Sequence, residues 1–202
     1  MIFDKVGNLY GTTIYGGGSS HIGTVFELSP SGSAWTEKVL YSFTGGSDGC
    51  EPYAGVIFDT SGNLYGATND ADCSGGGTVF KLTPSNGGGT YSLVHSFTGG
   101  CGPGCGCGPW GNLAIDGAGN LYGATLCDGP YNAGNVFELT PSGNSWIYTD
   151  LHDFTGGSDG GQPYGSVLVD ATGNLYGTAS RGGDPLQYCG GNGCGVVWEI
   201  TP

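Results

Sequence analysis

The tetrapeptide Asn-Leu-Tyr-Gly occurs four times, at Asn8 to Gly11, Asn63 to Gly66, Asn120 to Gly123 and Asn174 to Gly177, each shortly after an Asp. The starts lie 55, 57 and 54 residues apart. A period near fifty residues with strand-like content predicts an array of small antiparallel sheets whose units cannot bury their apolar faces alone. The chain is therefore expected to fold as one all-β body over 1–202, with units of about 1–54, 55–111, 112–165 and 166–202.

The second unit serves as the model. Gly55 to Asp59 is a short apolar run, Thr60-Ser61-Gly62 is a turn, and Asn63 to Thr68 is a second run, which together read as a tight hairpin. Gly77 to Pro84 and Tyr91 to Phe97 supply a third and a fourth strand, with Thr44 to Ala54 long enough to cross from one unit to the next. Four antiparallel strands per unit without helical periodicity predict a β-propeller of four blades. The last unit stops after Val196 to Ile200, so the fourth blade lacks its outer strand and 15 strands are expected. An open edge there could recruit a strand from another chain. The alternatives are half of an eight-bladed ring made by two chains, and a β-solenoid.

Composition narrows the function classes. The formal net charge is −13, and only Lys5, Lys38, Lys81 and Arg181 are basic, so nucleic acid and anionic lipid are poor partners. No apolar run approaches the ~18 residues of a membrane span. Gly contributes 45 residues without a collagen triplet, while aromatics at 12% can supply a core, so the glycines read as turn chemistry rather than disorder. Eight Cys and few Lys suggest an oxidising compartment. Met1 falls inside a repeat, since Ile2-Phe3-Asp4 matches Ile57-Phe58-Asp59, and no signal peptide precedes it. The sequence thus reads as an excerpt of a longer secreted protein.

Aligning the inter-unit returns on their Pro sets Cys50, two before Pro52, beside Cys107, two before Pro109; each is followed by one Cys in the long loop between the second and third strands. That spacing suggests Cys50–Cys73 and Cys107–Cys127 bridges, with Cys101–Cys105 and Cys189–Cys194 as local clasps. The rival is zinc held by the crowded Cys101, Cys105 and Cys107 with His95, but paired ligands at zinc spacing are missing, and no metal is assigned.

The candidate binding residues lie in the returns. Tyr53, Trp110 and Tyr164 each follow a Pro, and Asp48 and Asp159 stand just before Gly49 and Gly160. Successive blades would bring these rings to one end of the ring axis, where apolar faces beside carboxylates suit a sugar; the same rings could instead pack between blades. Trp35, Tyr91 and Trp146 read as inter-blade core opening the fourth strand, and Trp198 as core in place of Phe26, Phe80 and Phe137. His95 and His152 share a position with Tyr41. No nucleophile elbow or Ser/His/Asp set is present to assign. Were the chain a carbohydrate-active enzyme, its acids would come from Asp48, Glu51, Asp153 and Asp159. Asp4, Asp59, Asp116 and Asp170 read as turn caps, and Asp59-x-Ser61-Gly62-Asn63 has only a faint calcium-loop character, so no cofactor is expected.

The pattern Asp-x-x-Gly-Asn-Leu-Tyr-Gly, then Gly-Thr-Val-Phe-Glu-Leu-Ser-Pro at Gly23 to Pro30, then Leu-Tyr-Ser-Phe-Thr-Gly-Gly-Ser-Asp-Gly at Leu40 to Gly49, resembles the bacterial GloVer tandem repeats along the whole chain. The resemblance implies an extracellular or cell-surface bacterial protein and brings no catalytic residues. The turn is also loosely similar to NHL and gluconolactonase propellers, which imply a metal on the ring axis held by acidic side chains; no residues here are matched to that set. Two readings follow, a surface module binding glycan through an aromatic and acidic mouth and a polysaccharide hydrolase or lyase using the same mouth. A third is a structural array assembling through the fourth blade.

Overall fold

The computed structural model describes residues 1–69, 75–85, 88–98, 106–183 and 193–201. Fifteen strands and no helix occur among them, grouped into four antiparallel sheets. Blade 1 contains β1 (Ile2–Phe3), β2 (Leu9–Thr13), β3 (Thr24–Ser31) and β4 (Ala34–Ser42), hydrogen-bonded in that order. Blade 2 repeats it with β5 (Ile57–Phe58), β6 (Leu64–Thr68), β7 (Thr78–Ser85) and β8 (Gly88–Ser96). Blade 3 has β9 (Ala114–Ile115), β10 (Leu121–Thr125), β11 (Asn135–Ser142) and β12 (Ser145–Asp153). Blade 4 has β13 (Leu168–Val169), β14 (Leu175–Ala179) and β15 (Val196–Ile200). This is the expected four-blade, propeller-like arrangement, with a three-stranded fourth blade. The first strand of each blade is shorter than the sequence suggests, only two paired residues.

The recurring motif is accounted for atom by atom. In blade 2, Asp59 accepts the amides of Ser61 (2.9 Å) and Asn63 (2.8 Å) on one oxygen, and the Asn63 side-chain amide (2.7 Å) on the other. The Tyr65 hydroxyl reaches the second oxygen at 3.5 Å. Asp4, Asp116 and Asp170 make the same set of bonds in their own turns, so the Asp fixes a tight turn through the amides it accepts. Of the Leu residues that follow, Leu64, Leu121 and Leu175 are fully buried and Leu9 is half-buried. The closing Gly is required by packing: a Cβ would stand 2.8 Å from the Phe26 ring at Gly11, 2.6 Å from Phe80 at Gly66 and 2.5 Å from Phe137 at Gly123, and Trp198 closes over Gly177 in the same way. Each of these rings lies on the third strand directly opposite its Gly.

Three apolar clusters hold the blades together. Tyr10, Val25, Leu40 and Phe43 of blade 1 meet Val56, Leu64, Phe80 and Leu82 of blade 2. Tyr65, Val79 and Phe97 of blade 2 meet Leu113, Leu121, Phe137 and Leu139 of blade 3. Tyr122, Val136 and Phe154 of blade 3 meet Val167, Leu175 and Trp198 of blade 4. Each blade thus presents a forward face to its successor and a backward face to its predecessor, and burial of these faces drives the array. The segments entering the first strands also bond to one another: the Gly55 amide donates to Asn112 Oδ1 (2.8 Å), and the Asn112 amide to Ser166 Oγ (3.0 Å). Equivalent residues of successive blades therefore meet at a common hub.

The register corrects one alignment. Trp35 and Trp146 pair with Pro30 and Pro141, but Tyr91 lies opposite Leu82, where blade 1 has Glu37 and blade 3 has Tyr148. Tyr91 therefore belongs with Tyr148, while Gly89 takes the tryptophan position. His95, His152 and Tyr41 do share one register position, beside a β-bulge in the third strand of each blade.

Candidate functional site

The returns from blades 1 and 3, and the described end of the return from blade 2, enter the next first strand through a Pro. In two of the three returns the residue before the Pro has a positive φ, 55° at Glu51 and 52° at Gln162. The Glu51 amide donates to the Ile22 carbonyl (2.9 Å) and its carbonyl accepts the Asn69 amide (3.2 Å), tying consecutive blades together just ahead of the rings. In the third blade's return the Gln162 carbonyl accepts the Ser180 amide (3.1 Å) in the corresponding way.

These returns bring the three rings into contact. Tyr53 stacks on Trp110 with centroids 4.2 Å apart and planes 23° from parallel. Trp110 meets Tyr164 edge to face at 5.2 Å and 82°. Tyr53 and Trp110 are half-buried, and Tyr164 is 43% exposed. Trp110 rests on Leu126 and on the Cys107–Cys127 disulfide, whose Cα atoms are 4.8 Å apart. Its indole N–H is buried and has no acceptor among the described residues. The ladder is thus packed in the middle and most open at Tyr164.

The acids sit differently. Asp48 accepts the Thr44 amide (2.8 Å) and hydroxyl (2.7 Å), the Gly46 amide (3.1 Å) and the Tyr41 hydroxyl (2.9 Å). Burial pulls its pKa upward, but the Thr44 bonds outweigh that and hold the carboxyl below its ordinary range. Tyr41 in turn is pushed up by burial and by that carboxylate. Asp159 repeats the turn on Thr155 and places its carboxylate 3.4 Å from His152 Nε2. Both acids are therefore anchors of return-loop turns. Glu51 is almost fully buried. Asp153 is half-buried, and burial together with the Asp150 carboxylate raises its pKa. His95 stacks on Tyr148 at 4.6 Å, and burial lowers its pKa.

Cys107 and Cys127 form the expected bridge, and Cys50 and Cys194 are also disulfide-bonded. Their proposed partners Cys73 and Cys189 lie outside the described residues, as do Cys101 and Cys105. Among the described residues no group of three or more His, Cys, Asp or Glu side chains could hold a metal ion. The Asp59 oxygens, the faint calcium candidate, serve the turn.

Sequence reasoning missed a second concave feature. A groove between blades 2 and 3, on the side of the Asp turns, is lined by Asp59, Tyr65, Lys81, Asp116, Ser145 and Trp146. Lys81 Nζ lies 5.7 Å from the Tyr65 ring centroid, within cation–π range, and Trp146 packs edge-on against Tyr65 at 5.9 Å. The signal was Lys81 itself, which replaces the Glu27 and Glu138 of neighbouring blades.

The family model for the Gloeobacter/Verrucomicrobia repeat matches residues 1–202. The chain belongs to this repeat family. No curated protein matches the Gloeobacter/Verrucomicrobia repeat chain described here. Among solved structures it is similar to a protein of unknown function from Dyadobacter fermentans DSM 18053, at 15% identity and a TM-score of 0.42. The match covers 81% of this repeat chain and 53% of that one, so the chain spans about half the length of that relative. The repeat family and the disulfide are compatible with an extracellular location, and no described helix is long and apolar enough to cross a membrane.

Proposed function

We propose that this repeat module binds a neutral glycan at the mouth formed by Tyr53, Trp110 and Tyr164, on the outside of a bacterial cell. The observation that carries this reading is the convergence of three rings, one from each successive return, on a support stiffened by a disulfide. Aromatic faces stack on the C–H surfaces of sugars, and preorganisation lowers the entropy cost of binding. A charge of −13 favours a neutral polymer over a polyanion. With Asp48 and Asp159 committed to their turns, binding without catalysis is the reading favoured over hydrolysis or elimination.

The test is a polysaccharide pull-down and titration calorimetry with soluble oligosaccharides, comparing the parent chain with Tyr164→Ala and Tyr53→Ala. Loss of binding in both, with Trp146→Ala unaffected, is expected. Retained binding in the two tyrosine variants with loss in Trp146→Ala would move the site to the groove between blades 2 and 3. New reducing ends or unsaturated products on incubation would replace binding with catalysis.

A further inference from the structure

On the side of the Asp turns, the gap between blades 1 and 2 differs from the groove between blades 2 and 3. Lys38 on β4 crosses the first gap and donates to the Ser85 carbonyl at 2.9 Å. Lys38 pairs with Glu27 as Ser92 on β8 pairs with Lys81, so Ser92 holds the equivalent place between blades 2 and 3. A serine is too short for that crossing, and the groove there stays open with a volume of about 780 Å³. Small-ligand sites commonly enclose ~300–1,000 Å³. The far wall differs as well, because Trp146 stands where blade 2 presents Gly89.

The charge on the near wall is reversed. Blades 1, 3 and 4 set a Glu opposite the Tyr of the turn motif, and the Tyr122 and Tyr176 hydroxyls donate to Glu138 (3.2 Å) and Glu199 (2.9 Å). Blade 2 sets Lys81 opposite Tyr65. Lys81 is half-buried, and its ammonium lies over the Tyr65 ring with no hydrogen-bond acceptor and no carboxylate at ion-pair distance among the described residues. Two carboxylates line the same groove, but their oxygens are engaged. Asp59 accepts the Ser61 and Asn63 amides, the Asn63 side chain and the Tyr65 hydroxyl. Asp116 accepts the corresponding four groups of Ala118, Asn120 and Tyr122. Of the three charged residues lining the groove, Lys81 alone has its hydrogen-bonding atoms uncommitted.

We propose that this groove binds a sugar acid, with the carboxylate of a hexuronic acid residue on the Lys81 ammonium and a C–H face of its ring against Trp146. A charge-assisted hydrogen bond in a partly enclosed site is stronger than a neutral one, and the indole supplies an apolar contact that a simple anion cannot use. Ser92, Asn144 and Ser145 edge the groove with side chains able to bond the sugar hydroxyls. The net charge of −13 opposes a dense polyanion, so the ligand is a single acidic residue ending an otherwise neutral saccharide.

Titration calorimetry on the full chain, together with the NMR shift of the Trp146 indole N–H, tests this with three probes: a disaccharide ending in glucuronic acid, the same disaccharide ending in glucose, and acetate. Saturable binding of the acidic disaccharide is expected, with the neutral disaccharide and acetate each weaker by about tenfold or more. Lys81→Glu installs the residue that the neighbouring blades carry, so it is expected to fold like the parent and to lose about tenfold or more in affinity for the acidic probe. Trp146→Ala is expected to erase the preference for the acidic disaccharide over acetate; if that variant melts early, the Lys81→Glu comparison carries the test. Absence of saturable binding, or undiminished binding by Lys81→Glu, overturns the proposal. Equal affinity for the neutral disaccharide overturns the role of the carboxylate, and equal affinity for acetate overturns the sugar. Lys81→Glu leaves the Tyr53, Trp110 and Tyr164 mouth unaltered, so the two sites are tested separately.

Discussion

Blades 1 and 3 are built from the same strands and the same turn, yet they live in different surroundings. Phe137 of blade 3 is fully buried between Gly123 and the neighbouring blade, while Phe26 of blade 1 covers Gly11 with its outer side half open. Trp146 is packed against Tyr65, but its equivalent Trp35 is half-exposed. Blade 3 also carries the Cys107–Cys127 bridge, and the described part of blade 1 has only Cys50 at its exit. Similar local sequence is therefore packed unequally, and in a repeat array the junctions between units carry much of the stability.

The comparison breaks most sharply at the two phenylalanines. Phe137→Ala is expected to cost about 3–5 kcal/mol and Phe26→Ala roughly half that, read as shifts of the urea midpoint. Equal costs would mean that burial by the neighbour contributes little. Next in size is the bridge: Cys107→Ser opens a loop with a separation of 20 residues and should cost about 3 kcal/mol in thermal melts, with Tyr53 and Trp110 fluorescence changing first.

The Asp turns should be alike in both blades, at about 1–2 kcal/mol for Asp116→Ala and for Asp4→Ala. Partial burial raises the Asp116 carboxyl, but the bonds from Asn120 outweigh it and leave the pKa lowered in the fold. Such a carboxylate adds stability above its unfolded pKa of ~3.9, and that stability is lost as pH falls through the lower folded value. Asp170, held at about 2 by the Thr172 hydroxyl, should be the last of the four to protonate. Titration by NMR would follow that order, and simultaneous protonation of Asp170 with ordinary surface acids would contradict it. The smallest effect on stability, within about 0.5 kcal/mol, is expected for Tyr164→Ala, which removes an exposed ring while abolishing glycan capture.

Much of this was legible in the sequence because the signals were local or periodic. The Asp, Gly, Asn and Tyr of the turn each serve a contact within a few residues, so their order alone specifies the hairpin. The Cys107–Cys127 pairing followed from aligning the returns on Pro52 and Pro109. Convergence of Tyr53, Trp110 and Tyr164 followed from placing successive units about one axis. The Tyr91 alignment failed because aromatic was matched to aromatic across the glycine-rich stretch ahead of it, and only the register opposite Leu82 counts positions correctly. Nor could the roles of Asp48 and Asp159 be separated from ligand contacts, since a carboxylate that caps its own loop and one that faces solvent are the same letters.

The ring seated over a glycine, repeated in every blade, has an evolutionary consequence. Since each unit carries its own seat and matching faces, an unequal crossover that inserts or deletes one whole unit leaves every remaining junction fitted, whereas a breakpoint between the glycine and its aromatic would part the two. Gene length in such a lineage should therefore drift in steps of one unit.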